Sequence, residues 1–263
     1  MTNEHPMTLR LLDAFSGIGG FSYAAEHLVG GYETVQFIEI EPFCQSVLRK
    51  HWPSVPIHGD IKTFFPEPYS ADVICGGFPC QDISNAGKRA GILHGTRSGL
   101  FYELMRVIRV VRPRYVILEN VSAIVNRGLD TVLQEMAQAG YDAEWACIRA
   151  SDVGACHRRD RWWCIAYANS SGLQRCRSEC ELQKSSEKIQ TSWRCSHQLE
   201  CDWRSYLSEP VLRRGDDGLS SRVHRLKALG NSVVPQVAAI PLRRVIDIHI
   251  SSCQLNSKAR LSP

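Results

Sequence analysis

Cys80 is the residue whose setting could do chemistry. It follows Gly76-Gly77-Phe78-Pro79 and precedes Gln81, directly after the apolar run Ala71-Asp72-Val73-Ile74-Cys75. Paired glycines let a chain leave a strand in an unusual direction, and Pro79 restricts the backbone one residue before the thiol. A cysteine at the carboxyl end of a buried strand sits where open α/β sheets bind ligands. The chemistry this permits is nucleophilic attack by a thiolate. A Gly-Pro turn that merely carries a small residue has the same local pattern, so the rest of the chain must decide. Three further places offer site chemistry. Ser16-Gly17-Ile18-Gly19-Gly20 is a glycine turn between an apolar strand and a helix, which would let a cofactor approach backbone N–H groups. It lacks the full G-x-G-x-x-G fingerprint and so is poor support for NAD. Glu39 ends the second apolar run, where a carboxylate can accept hydrogen bonds from ribose hydroxyls, and Asp60 in Gly59-Asp60-Ile61 suits an adenine amino group. Taken singly, each acid also reads as a solvated loop carboxylate.

The elements that must position these residues alternate in type. Strands are expected over Thr8–Phe15, Thr34–Ile40, Ala71–Gly76, Arg114–Glu119, Trp145–Ala150 and Trp162–Ala168. Helices are expected over Phe21–Val29, Pro42–Lys50, Leu100–Val111, Leu129–Ala139 and Pro235–Ile248. Proline near the start of the second and glycine after the fourth fit helix ends. Such alternation implies an α/β fold, a mostly parallel sheet with helices on both faces. From Asn169 to about Ser221 the chain turns rich in Ser, Arg, Glu, Gln, Cys and Trp and loses periodicity. The expected organisation is a catalytic and cofactor-binding domain over 1–168 and a small irregular region over 169–221. A helical segment over 222–250 returns to the first domain, and a frayed tail covers 251–263.

The 263 residues allow one sizeable core. A hydrophobic share of 44% with 22% charged residues reads as globular. The net charge of +4 is compatible with a nucleic-acid partner without requiring one. No run is long and apolar enough for a membrane span, and the polar start lacks a signal peptide, so a cytoplasmic protein is expected. Eleven cysteines, an odd number at irregular spacing, point to reduced thiols.

Together with Pro79-Cys80-Gln81, Glu119-Asn120-Val121 and Arg159-Asp160-Arg161, the pattern closely resembles the cytosine-5 DNA methyltransferase family. The match runs through residues 9–168 in the family's order and resumes at Leu229-Gly230-Asn231-Ser232-Val233. The resemblance implies a Rossmann-like S-adenosylmethionine-dependent methyltransferase fold, with S-adenosyl-L-methionine as cofactor and cytosine C5 as target. Cys80 matches the nucleophile, which adds to C6 so that C5 can attack the methyl-sulfonium. Glu119 is expected at N3, where burial would keep a proton on its carboxyl. Arg159 and Arg161 match the arginine pair, one guanidinium being expected near the cytosine O2. The matching cofactor positions are Phe15, Ser16, Gly17, Gly19, Gly20, Glu39, Ile40, Asp60, Ile61, Pro79, Leu100, Asn231 and Ser232. His157 stands where the family usually has glutamine.

In the family, the loop after the nucleophile closes over double-stranded DNA around a flipped cytosine. Gln81 and Ser84 match its DNA-contacting positions, and Lys88, Arg89 and Arg97 would meet phosphates. The family's arginine-led segment at the end of the recognition domain is missing, and Glu209 to Leu226 occupies its place. This resembles the compact variants of phage and prophage methyltransferases, with target recognition placed at 169–221. Cys176, Cys180, Cys195, His197 and Cys201 could in principle hold zinc, but no C-x2-C occurs and reduced thiols are expected instead of a metal. A monomer is expected, with a separately encoded cognate restriction endonuclease as a possible companion. Two alternatives stay open: a cytosine-5 methyltransferase acting on transfer RNA, and an inactive nucleic-acid-binding relic.

Overall fold

The computed structural model describes residues 8–79, 99–168 and 222–260. Seven strands form one sheet: β1 (Leu9–Ala14), β2 (Tyr32–Ile38), β3 (Ile57–His58), β4 (Val73–Gly77), β5 (Tyr115–Val121), β6 (Tyr141–Arg149) and β7 (Asp160–Ala168). Their order is β3-β2-β1-β4-β5-β7-β6. The first five in that order run parallel, while β7 lies antiparallel to both β5 and β6. The chain steps outward from β1 to β2 and β3, then returns to β4 on the other side of β1. That reversal makes the carboxyl ends of β1 and β4 the crevice of the sheet.

The helices are α1 (Gly20–Tyr23), which continues as a π-helical turn over Ala24–Val29, then α2 (Pro42–His51), α3 (Leu100–Val111), α4 (Leu129–Gln138), α5 (Arg222–Asn231) and α6 (Pro235–Arg260). Neighbouring residues of the central strands alternate between two cores. Leu12, Ile74, Val116, Leu118 and Trp162 pack with Phe101, Leu104 and Met105 of α3 and with Val132 and Met136 of α4. Leu11, Val73, Cys75, Ile117 and Trp163 pack with Phe21 of α1 and with Val237, Ala238, Leu242 and Val245 of α6. A strand covered on both faces must be apolar at every position, which is why these strands read as continuous runs. Each large side chain buried in this way is worth about 1.5–3 kcal/mol.

Four features differ from the sequence reading. The strand β3, implied only by the acid expected at a strand end in Gly59-Asp60-Ile61, is two residues long and too short to show a periodicity of its own. The helix after the glycine turn widens into a π turn, closed by Gly30 N donating to Ala25 O at 2.8 Å. The last two strands form an antiparallel hairpin, and β6 starts at Tyr141, directly after Gly140 with its φ of 84°. The last helix runs past Ser251 to Arg260. Ser251 and Ser252 return hydrogen bonds to the carbonyls of Asp247 and Ile248, so these polar residues sit within the helix instead of fraying it.

Candidate active site

The loops after β1, β2, β4 and β5 enclose a cleft of about 410 Å³, within the range of small-molecule sites. The turn after β1 is fixed from inside. Ser16 Oγ donates to Asp13 O at 2.6 Å, and Ser16 N to Ile38 O at 3.2 Å. Asp13 itself is fully buried and accepts from Ser22 N and Oγ at 3.3 and 2.8 Å. Burial pushes its carboxyl up to about 7, against the pull of those bonds and of Cys75. Phe15, a non-glycine residue at φ 56°, turns the chain out of β1.

Glu39 ties two loops together. One carboxylate oxygen accepts from Gly17 N and the other from Glu41 N, both at 2.7 Å. Desolvation raises its pKa, and those two backbone bonds oppose the rise. Beside Glu39, Ile40 is 69% exposed, a flat apolar surface at the rim. Gly17 lines the cleft at φ 56° with no atom within 4 Å of where a Cβ would be, so its Cα side is open to a ligand while its N–H is held by Glu39. A nucleoside-sized cofactor with a hydroxyl-bearing sugar fits this lining.

The opposite wall carries the acid and the arginines. Glu119 on β5 pairs with Arg161 on β7, Nε to Oε1 at 2.9 Å, across the antiparallel register. Desolvation raises the Glu119 pKa, while the charges of Arg161 and Arg159 and the Arg161 hydrogen bond oppose the rise. Arg159 has other partners: its two Nη atoms donate to Gly230 O at 2.9 Å and Ser232 O at 2.7 Å. Asn120 Nδ2 donates to Phe78 O at 3.2 Å while its Oδ1 accepts from Val121 N at 2.8 Å. Asn120 therefore fixes the turn that leads through Pro79 toward Cys80.

Of the residues singled out in the sequence, Phe15, Gly17, Glu39, Ile40, Pro79, Glu119, Arg159, Arg161 and Asn231 line the cleft together. Gly19, Gly20 and Ser232 line a second, largely apolar cavity of about 500 Å³, which shares only Arg159 with the first. Ser16 and Ile61 are buried, and Leu100 packs against the core. Asp60 opens a helical turn, with its carboxylate accepting from Lys62 N at 3.0 Å. Arg106 of α3 holds that turn by donating to Ile61 O and Phe64 O at 2.7 and 3.0 Å. Cys80, Gln81, Ser84, Lys88, Arg89 and Arg97, and the cysteines and histidine of 176–201, lie outside the described residues. Sequence reasoning missed the helix α5 as part of the wall, where His224, Lys227 and Ala228 line the cleft. Its ion pair, Lys227 Nζ to Glu41 Oε2 at 2.8 Å, joins residues 186 apart and left no local signal.

A family model described as C-5 cytosine-specific DNA methylase matches residues 9–212, most of the chain. The chain belongs to that family. Among curated relatives, the type II methyltransferase M.CviJI of Paramecium bursaria Chlorella virus IL3A is 37% identical over 61% of the chain and 43% of its own length. The type II methyltransferases M.HpaII of Haemophilus parainfluenzae and M.HhaI of Haemophilus parahaemolyticus are 34% and 31% identical, over 62% and 63% of the chain. The chain spans about half the length of these relatives, 47% and 51% for the latter two. Among solved structures, a mutant DNMT2 of Spodoptera frugiperda aligns with TM-score 0.52 at 21% identity, over 62% of the chain and 51% of its own. The S. pombe Dnmt2 methyltransferase aligns with TM-score 0.50 at 21% identity, over 75% and 63%. These structures share the fold, a Rossmann-like methyltransferase sheet. The family and the fold imply S-adenosylmethionine, and the lining of the cleft fits it. No helix among the described residues is long and apolar enough to cross a membrane.

Proposed function

We propose that this chain transfers a methyl group to C5 of a cytosine in double-stranded DNA, through a covalent bond between Cys80 and C6. The observation that carries the reading is the Glu119–Arg161 pair, set in the wall of the cleft that Pro79 enters one residue before Cys80. S-adenosylmethionine, when bound, supplies the electrophilic methyl group. Glu39 would accept from the ribose hydroxyls, Asp60 from the adenine amino group, and Ile40 would lie against the ring. The backbone of Gly17 and the Asn231 segment would close the remaining sides.

The base chemistry belongs to the chain's own residues. Cys80 gives its proton to solvent, and the thiolate electron pair forms the Sγ–C6 bond. Charge passes through the ring toward N3, where Glu119, whose pKa burial raises, would donate a proton from its acid form. Arg161 holds Glu119 in place and faces negative charge gathering at O2. C5 is then electron-rich and can attack. A water removes the C5 proton afterwards, the electrons of that bond form C5=C6 as the Sγ–C6 bond breaks to release the Cys80 thiolate, and N3 returns its proton to Glu119. Because C6 is shielded in the stack, the cytosine must be turned out of the duplex. Gln81, Ser84, Lys88, Arg89 and Arg97 would contact the DNA, and 169–221 would select the target. Likeness to type II methyltransferases supports DNA as the substrate, and a cognate endonuclease encoded separately belongs to the same reading.

The test is genome-wide 5-methylcytosine sequencing in a methylation-free bacterial host, beside labelled-methyl transfer to DNA and to transfer RNA in vitro. A single methylated DNA word that vanishes in Cys80→Ser supports the reading. Label on transfer RNA alone would move the substrate to RNA, and no transfer from a folded protein would leave the relic.

A further inference from the structure

The two arginines that flank Asp160 turn to different walls of the site. Arg161 meets Glu119, whereas both Nη atoms of Arg159 are bound to backbone carbonyls more than seventy residues away, at Gly230 and Ser232. Those carbonyls bracket Asn231, which lines the cleft. A planar fork that meets two carbonyls makes charge-assisted bonds with fixed geometry. The third nitrogen, Nε, is buried with no partner among the described residues, so these two bonds are the guanidinium's anchors. Arg159 also sits at φ 25°, a left-handed conformation that a non-glycine residue holds only when its surroundings enforce it.

The clasped segment has little slack. A Cβ on Gly20 would lie 2.7 Å from Val233 Cγ2 and 2.9 Å from Ser232 Oγ, so this stretch presses on the start of α1. Two further contacts tie α5 to the cleft: His224 stacks on Phe43, and Lys227 pairs with Glu41, an exposed pair of a kind that holds weakly. Arg159 is also the residue common to the cleft and the neighbouring cavity, and therefore part of the partition between them.

We propose that Arg159 is a positioning residue for the cofactor: it clasps the Gly230 and Ser232 carbonyls and so holds Asn231 in the wall of the cleft. Arg161 alone then serves the base. This rests on the reading of the cleft as the S-adenosylmethionine site.

The test is calorimetric binding of S-adenosylhomocysteine to the full chain without DNA, for wild type, Arg159→Met, Arg159→Lys and Arg161→Met. Losing two charge-assisted bonds should weaken binding by about tenfold or more in Arg159→Met. Arg159→Lys, which keeps a charge but not the fork, should fall between, and Arg161→Met should stay within about twofold of wild type. In methyl transfer, Arg159→Lys should raise the KM for S-adenosylmethionine more than that for DNA. Unaltered product affinity in a folded Arg159→Met overturns the clasp. If that variant does not fold, Arg159→Lys decides, and wild-type affinity there overturns it equally. A wild type that binds no S-adenosylhomocysteine overturns the cofactor reading itself, and the clasp with it.

Discussion

At the scale of single residues, the buried acids carry the sharpest consequences. Burial raises the Glu119 pKa against the pull of Arg161 and Arg159, the direction that favours the acid form needed at the base. Glu119→Gln should lower methyl transfer by roughly 10²–10⁴-fold, measured as kcat, without moving the melting temperature by more than a few degrees. In the wild type, kcat should fall as pH rises through the Glu119 pKa, because the donor proton is lost there. A pH profile with no such limb would count against the role. Cys80→Ser should abolish transfer while product binding and fold persist. Asp13 gives a stability test free of catalysis. Its folded pKa of about 7 stands above the ordinary 3.8, so folding takes up a proton between those values. The resulting stability is present below about pH 4 and is lost as pH rises toward 7, with an upper bound of about 4 kcal/mol. Asp13→Asn, which is neutral throughout, should flatten the melting temperature across that window. An unchanged slope would reassign the effect to other groups.

At the scale of elements, each strand end delivers one functional group, and the turns decide where it points. The Asn120 bond to the Phe78 carbonyl couples the end of β5 to the turn after β4. Asn120→Ala should loosen the approach to Cys80, lowering kcat by roughly tenfold with product affinity unchanged, as a lost buried hydrogen bond of about 1–3 kcal/mol suggests. Steady-state kinetics beside calorimetry separates that from a cofactor defect. Gly20→Ala should do the reverse. Its Cβ would sit 3.1 Å from the Val233 carbonyl, a backbone atom that cannot rotate away, so the Ser232–Val233 stretch must shift and cofactor affinity should drop. The elements themselves were largely legible. The runs at 9–14, 73–77 and 115–121 are apolar throughout because both faces are covered, and Leu100–Val111 shows its amphipathic period plainly. What escaped was short or non-local: the two-residue extent of β3, the widening of the helix over Ala24–Val29, and the antiparallel sense of β6 and β7. Strand direction depends on which neighbour a strand finds, and that is not encoded in its own period.

At the scale of the whole molecule, the C-terminal segment is the closing piece. The helix α6 packs its Val237, Ala238, Leu242 and Val245 against the same core face as β1, β4 and β5, and the segment that leads into it brings Ser232 and Val233 against Gly20 of the glycine turn. The described sheet and its covering helices are therefore assembled from 8–79, 99–168 and 222–260. Replacing 169–221 with a short flexible linker should leave S-adenosylhomocysteine binding measurable but abolish methylation at a defined word. Loss of binding as well would show that the region supports the fold. For this chain, the sequence alone determined the kinds of chemistry and their order, because the glycine turn, Pro79-Cys80, Glu119-Asn120 and the arginine pair are each local patterns a few residues long. Only the tertiary structure decided which arginine faces the acid and which clasps Gly230 and Ser232, because Arg159 turns off at a φ of 25° just before β7 while Arg161 lies within it, and their partners arrive from segments far along the chain.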